Sequence, residues 1–440
     1  MSRTTEIDVP AVLRAARAVK QATLAEVGAH AGYSSSAMSR ILNGRMAVGD
    51  VALRRIADFL EIPPQRLGLA PDPVRHASTS GLRSSVATRV TAGRESEGEV
   101  RRRRFFALGA AGAGAAVVGA GPAGAEPVDV PPGTDLLEQA LFEPVAPVLL
   151  PDLPASLTRA RADFRAARYD RLRATLPAII SGAQAERDAV SGLRRERANA
   201  ALARAHVLAT ELAVKGSADY AWVTADRALS AARACGSPVV IGEAARVLAI
   251  TMRRSGRIAS AVQLLTTTAT GLDGEDSADS LAVRTSLLLT AAYSAATGGN
   301  GSTAYDLAEE AERTAGRVPP GLVGELFTVE ATAEQCALYR IGLATVLGDP
   351  DAGVQHALDL DPTRLPTKER RARYFTDTAR MWDALDEDRR TYEALLAMER
   401  VAPEEVRRPS VRAVTARLVH SPARLPGLRP FAARTGALGA

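Results

Sequence analysis

Between positions 35 and 42 the chain places three hydroxyls, Ser35, Ser36 and Ser39, and one guanidinium, Arg40, together with Ala37, Met38, Ile41 and Leu42. At 3.6 residues per turn the apolar four fall on one side of a helix and the polar four on the other. A guanidinium spans the two acceptors on the major-groove edge of a guanine, and hydroxyls serve as donors or acceptors to bases and phosphates. The chemistry offered by this spacing is therefore recognition of double-stranded DNA by the exposed side of a short helix. Thr23, Ser34, Asn43 and Arg45, at the ends of the elements that must carry that helix, complete the candidate DNA-binding set, with Arg45 as a phosphate contact.

Those elements have their own signals. Thr23 followed by Glu26 is a capping box, so a helix starts at Leu24. Gly28 and Ala29 leave room for a close helix crossing, and Gly32 supplies the left-handed residue that ends this first helix. Ser34 is an N-cap for the second helix, with Tyr33 placed to staple onto Met38, and Asn43-Gly44 ends it. One more helix precedes the pair (Val12 to Lys20), and another follows with Leu53, Ile56, Ala57 and Leu60 on one face. Ile62-Pro63-Pro64 and a short helix through Leu67 close the set. The stretch from Thr23 to Arg45 resembles the helix-turn-helix of the lambda-repressor and Cro superfamily (XRE family). Its core, Thr23 to Asn43, is also similar to the Lac repressor pattern, and the surrounding helices fit the XRE arrangement. The resemblance implies a five-helix DNA-binding head over residues 1–70. Leu24 departs from it, because XRE proteins often carry a phosphate-contacting Gln there. Helix-turn-helix geometry also serves plain packing, which is the bland alternative.

The chain has 440 residues, enough for two or three domains. Only Lys20, Lys215 and Lys368 among its 55 basic residues are lysines, an Arg, Ala and Gly bias that looks actinobacterial and weakens the pI near 9.4 as a sign of nucleic acid. Cys235 and Cys336 lie far apart, which suits buried thiols in a reducing compartment. Five scattered histidines form no metal-ligand spacing. With no P-loop and no nucleophile beside a base, we expect no catalytic residue, no cofactor and no metal site.

From 71 to 135 the apolar period dissolves into Pro, Ser, Thr, Gly and Arg, the composition of a flexible linker. Within it, 101–125 (RRRRFFALGAAGAGAAVVGAGPAGA) has three readings. As a degenerate linker or remnant of an export signal, it would keep an arginine pair before an Ala/Gly/Val run. As a membrane helix, its arginines would hold the head on the cytoplasmic side. As a flavin fingerprint, its Gly119-Ala120-Gly121-Pro122-Ala123-Gly124 would need a following helix, which Pro127, Pro131 and Pro132 oppose.

Residues 136–418 read as helical with internal repeats. Small residues recur at matching offsets around a glycine in three units: Ala209, Gly216, Ala221, Ala228; Ala249, Gly256, Ala261, Thr268; Ala292, Gly299, Ala304, Ala311. Such spacing lets two antiparallel helices cross closely. It resembles the tetratricopeptide repeat, including the Gly-Arg start at Gly256, and implies a solenoid with a concave groove for a peptide or small-molecule effector. Tyr220, Trp222, Arg253, Tyr293, Tyr305 and Tyr339 are candidates for lining it, although an aromatic at helical spacing also suits a core. Arg246, Arg254 and Arg284 read either as carboxylate ligands in the groove or as solvated surface. The tail, 419–440, is Pro, Gly and Arg-rich and is expected to be disordered. The whole reads as an all-α cytoplasmic transcriptional regulator, binding double-stranded DNA as a homodimer. A membrane-linked or exported helical-repeat protein and, more remotely, a flavin enzyme are the alternatives.

Overall fold

Leu13, Val27, Met38, Ile41 and Ile56 are almost wholly excluded from solvent, and burying them together is what draws the first helices into a bundle. In the computed structural model, which describes residues 9–69, 136–142, 150–318 and 331–438 except 21, 34, 43, 45 and 47, these helices are α1 (Val9–Lys20), α2 (Leu24–Ala31), α3 (Ser35–Leu42) and α4 (Asp50–Leu60). A 3-10 turn over Pro64–Leu67 completes the head and buries Leu67. The expected linker over 71–135, with its segment 101–125, lies outside the described residues.

Gly28 fixes the crossing inside the head. A Cβ there would lie 2.3 Å from the carbonyl oxygen of Tyr33 and 3.3 Å from Met38 Cγ. Gly28→Val would drive two further carbons into backbone, and is expected to cost about 1–3 kcal/mol by overpacking. The readout is a head-specific loss of amide protection in α2 and α3, with the remaining helices unchanged.

The second part is helical throughout its described residues: α5 (Leu136–Phe142), α6 (Leu153–Arg165), α7 (Tyr169–Ala189), α8 (Gly192–Gly216), α9 (Ala221–Cys235), α10 (Pro238–Arg254), α11 (Ile258–Thr270), α12 (Ala278–Thr297) and α13 (Gly301–Ala315). After 331 come α14 (Ala333–Val346), α15 (Pro350–Asp359), α16 (Lys368–Ala384), α17 (Asp388–Val401), α18 (Pro409–Val419) and α19 (Leu428–Arg434). The fold is all-α, and no strand occurs among the described residues. Consecutive helices pack as hairpins, α8 on α9, α10 on α11, α12 on α13 and α16 on α17. The small residues Ala209, Ala228, Ala249, Ala261, Ala292, Ala304 and Ala311 are all fully buried at these crossings.

Two expectations need correction. The tail is ordered as far as 438: α19 carries Phe431, fully buried, edge-on to Tyr392 with ring centroids 5.8 Å apart. Its Pro, Gly and Arg content concealed Leu428, Phe431 and Ala432, which share one side of a short helix. Nor is Arg246 solvated. It is buried and ion-paired with Glu211, whose other carboxylate oxygen takes Arg161 at 2.6 Å. The expected carboxylate is the protein's own.

The two ends of this array meet. Leu172, Leu176 and Leu208 share an apolar cluster with Leu395, Met398 and Phe431. Beside it the Lys215 ammonium sits between two buried carboxylates, 2.6 Å from Glu369 Oε1 and 2.6 Å from Glu405 Oε1. The Tyr169 hydroxyl also donates to Glu405, and Arg408 Nη1 donates to its second oxygen at 2.7 Å.

Candidate nucleic-acid interface

The helix pair that would meet DNA is held by local chemistry. Thr23 is extended (φ −76°, ψ 159°), its hydroxyl accepts from the Glu26 amide at 3.2 Å, and its own amide donates to the Glu26 carboxylate at 2.7 Å. Both halves of the capping box are thus made, and the Thr23 backbone amide, then its hydroxyl, hold the Glu26 carboxyl below the usual range. Gly32 ends α2 at φ 80°, its amide returning to the Gly28 carbonyl. That left-handed residue turns the chain so that α3 leaves at an angle to α2. Gly44, at φ 69°, donates to the Ile41 carbonyl and ends α3.

The burial of α3 is one-sided. Ala37, Met38, Ile41 and Leu42 are buried, while the Arg40 side chain keeps 21% of its surface. Ser35, Ser36 and Ser39 lie on α3, but their side chains are outside the described set, as are Ser34, Asn43 and Arg45 altogether. Of the expected DNA-binding residues, Thr23 and Arg40 are therefore the two with described geometry. Arg40 Nη2 lies 2.7 Å from Asp351 Oδ2, at the first turn of α15, a contact no sequence pattern announced. Arg55 on α4 reaches the same array, its Nη1 donating to the Gly299 carbonyl at 3.1 Å.

The candidate groove residues divide. Arg253, Tyr293 and Tyr339 come together: Arg253 lies 4.8 Å over the Tyr293 ring and donates to Ser294 Oγ at 3.2 Å, and Tyr339 meets Tyr293 edge-on at 6.4 Å. Arg373 covers Tyr293 as well, at 5.5 Å, while donating to Asp377 at 2.6 Å. Trp222 is elsewhere, its indole nitrogen bonded to Ser255 Oγ at 2.9 Å and Arg257 over its ring. Tyr305 lies under Arg340, and Tyr220 is buried in the main apolar cluster. The six do not line one surface. A cavity of about 580 Å³ lies instead among α5, α7, α8 and α9, and it was not foreseen. Arg187, Asn199, His206 and Arg227 line it.

No group of three or more His, Cys, Asp or Glu able to hold a metal occurs among the described residues. Cys336 is buried, and burial, with Glu312 beside it, pushes its thiol up to about 12, which makes it a poor nucleophile. No described helix is long and apolar enough to cross a membrane.

Residues 11–69 match the family model described as a helix-turn-helix domain, a span that runs from within α1 to just past the 3-10 turn. Neither the curated proteins nor the solved structures include a match to this chain.

Proposed function

We infer from the helix-turn-helix head that the chain is a DNA-binding regulator rather than an enzyme. We propose more specifically that the chain is a sequence-specific transcriptional regulator of XRE type, acting in the cytoplasm. In this reading α3 lies in the major groove, with Ser35, Ser36, Ser39 and Arg40 towards base edges and Thr23, Ser34, Asn43 and Arg45 near phosphates. The observation that carries it is the complete capping box and left-handed Gly32, which together set α3 against α2 with Arg40 on its outer side. The tetratricopeptide-like array is the part that senses a peptide or small-molecule effector, or joins two copies so that two heads meet half-sites roughly 34 Å apart.

Selection of binding sites from a random duplex library, followed by titration, tests the reading. Arg40→Ala should weaken the selected site by about 1–3 kcal/mol and relax preference at one base position. Arg45→Ala should weaken all sequences alike. If Arg40→Ala lost specific and nonspecific binding equally, Arg40 would be a phosphate contact and the base-reading assignment would fall. Sedimentation of the protein on that site reports whether two copies bind.

A further inference from the structure

The side chain best suited to read a base is already engaged by the same chain. Arg40 is ion-paired with Asp351, and a guanidinium held by a carboxylate is not available to the acceptors of a guanine. We propose that the surface formed by the α12–α13 and α14–α15 turns is a docking site for the head of this chain, and that the docked head cannot bind DNA.

Several features fit that surface to this occupant. Asp351 offers the α3 arginine a carboxylate in place of DNA's acceptors. Arg55 supplies a second anchor on the Gly299 carbonyl, 3.1 Å away. Glycines on the array permit the approach: a Cβ at Gly301 would lie 3.4 Å from the Gly32 carbonyl oxygen, at the helix-turn-helix turn itself. A Cβ at Gly348 would lie 2.8 Å from Tyr33 Cε1 and 3.0 Å from Met46 Cε. The contact thus covers the turn (Gly32, Tyr33), the recognition side of α3 (Arg40) and the segment after α3 (Met46). That is the side of the head that DNA requires, so docking and DNA binding exclude each other.

The contact is also built to open. Its ion pair is part-exposed, with 47% of the Asp351 side chain in solvent, and a cavity of about 1070 Å³ remains between Tyr33 and Met46 on the head and Gly348, Pro350 and Arg417 on the array. A seam of a few polar contacts around open space holds weakly. Docking lowers the apparent DNA affinity by the fraction of heads left free, so a modest preference for the docked state is enough to hold the regulator back. Anything that shifts the α12–α13 or α14–α15 turn changes that fraction, which gives the array a direct route to the head.

The proposal rests on the reading of α3 as the DNA-entering helix, and the test separates the two. Full-length wild type, Asp351→Asn, Asp351→Arg and, as a control for added charge, Asp226→Arg are titrated with a fluorescein-labelled random-sequence 30-base-pair duplex. Amide exchange is followed in the same proteins without DNA. Loss of one part-exposed ion pair should raise affinity about 3-fold in Asp351→Asn, and repulsion of Arg40 should raise it about 10-fold in Asp351→Arg. Exchange should quicken in both variants at 32–42 and at 299–301 and 348–353. Asp226→Arg, on α9, should show neither effect. Equal gains in Asp351→Arg and Asp226→Arg, or unchanged affinity and exchange in both Asp351 variants, would overturn the docking. Faster exchange in the Asp351 variants with no DNA binding by any protein would retain the contact but remove DNA as the ligand it excludes, and the proposal with it.

Discussion

Lys215→Met is expected to cost the full-length protein about 3–5 kcal/mol, measured as a fall in the denaturant midpoint of the array's transition, because it leaves two buried carboxylates without the cation they share. In the wild type, burial alone would raise both Glu369 and Glu405. For Glu369, Arg370 and then Lys215 reverse that, and for Glu405, Arg408 and then Lys215 hold the carboxyl well below the usual range. Met fills the volume of the Lys stem but restores no charge, so the loss is electrostatic rather than a cavity. Arg370 and Arg408 remain, which places the effect nearer the lower end of the range. The sign of the pH dependence follows. A depressed carboxyl contributes stability that is full above its unfolded value near 4.3 and is lost as pH falls towards its folded value. The carboxyls of the variant should titrate higher, so the gap between wild type and variant should narrow as pH is lowered from 7 to 4. An unchanged midpoint at pH 7 would mean that the two ends of the array are not joined through this cluster.

How far the sequence announced these features depends on distance along the chain. Thr23 and Glu26 are three residues apart, and Gly32 acts on its immediate neighbours, so the geometry of the helix-turn-helix was legible from local rules. The small residues from Ala209 to Ala311 were legible for another reason: each crossing repeats, and periodicity shows through one chain without knowledge of the partner helix. Lys215 meets Glu369 and Glu405 across 154 and 190 positions, and Arg40 meets Asp351 across more than 300. Nothing in the neighbours of Lys215 or Asp351 marks them, because charge at a helix surface reads as solvated until a partner closes over it. The same ignorance made the aromatic set too broad. Tyr293 and Tyr339 converge with Arg253, while Tyr220 is core and Trp222 and Tyr305 lie apart, since helical spacing gives a residue's side of its own helix and not the element opposite.

The second large effect concerns His206, which is 1% exposed and whose Nδ1 has no hydrogen-bond partner. Burial, followed by repulsion from Arg227 and Arg187, brings its imidazole down to about 3. The unfolded chain takes up a proton near pH 6.5, and the folded chain does not until pH is about 3.5 units lower. Stability must therefore be full above 6.5 and fall as pH drops through that window, by about 2 kcal/mol at pH 5 and about 3 kcal/mol at pH 4. This range is distinguishable from the contribution of Glu405, which begins only below about pH 4.5. His206→Gln keeps a polar side chain at the wall of the 580 Å³ cavity, near Asn199 and Gln184, but removes the titrating group. Urea midpoints of wild type and His206→Gln at pH 7 and pH 5 should differ in slope, with the wild type losing about 2 kcal/mol more across the interval. Parallel curves would show that His206 accepts a proton in the folded state at pH 5. That outcome would require the cavity to hold solvent or a carboxylate close enough to offset Arg187 and Arg227, since the described lining contains no acidic side chain to do so.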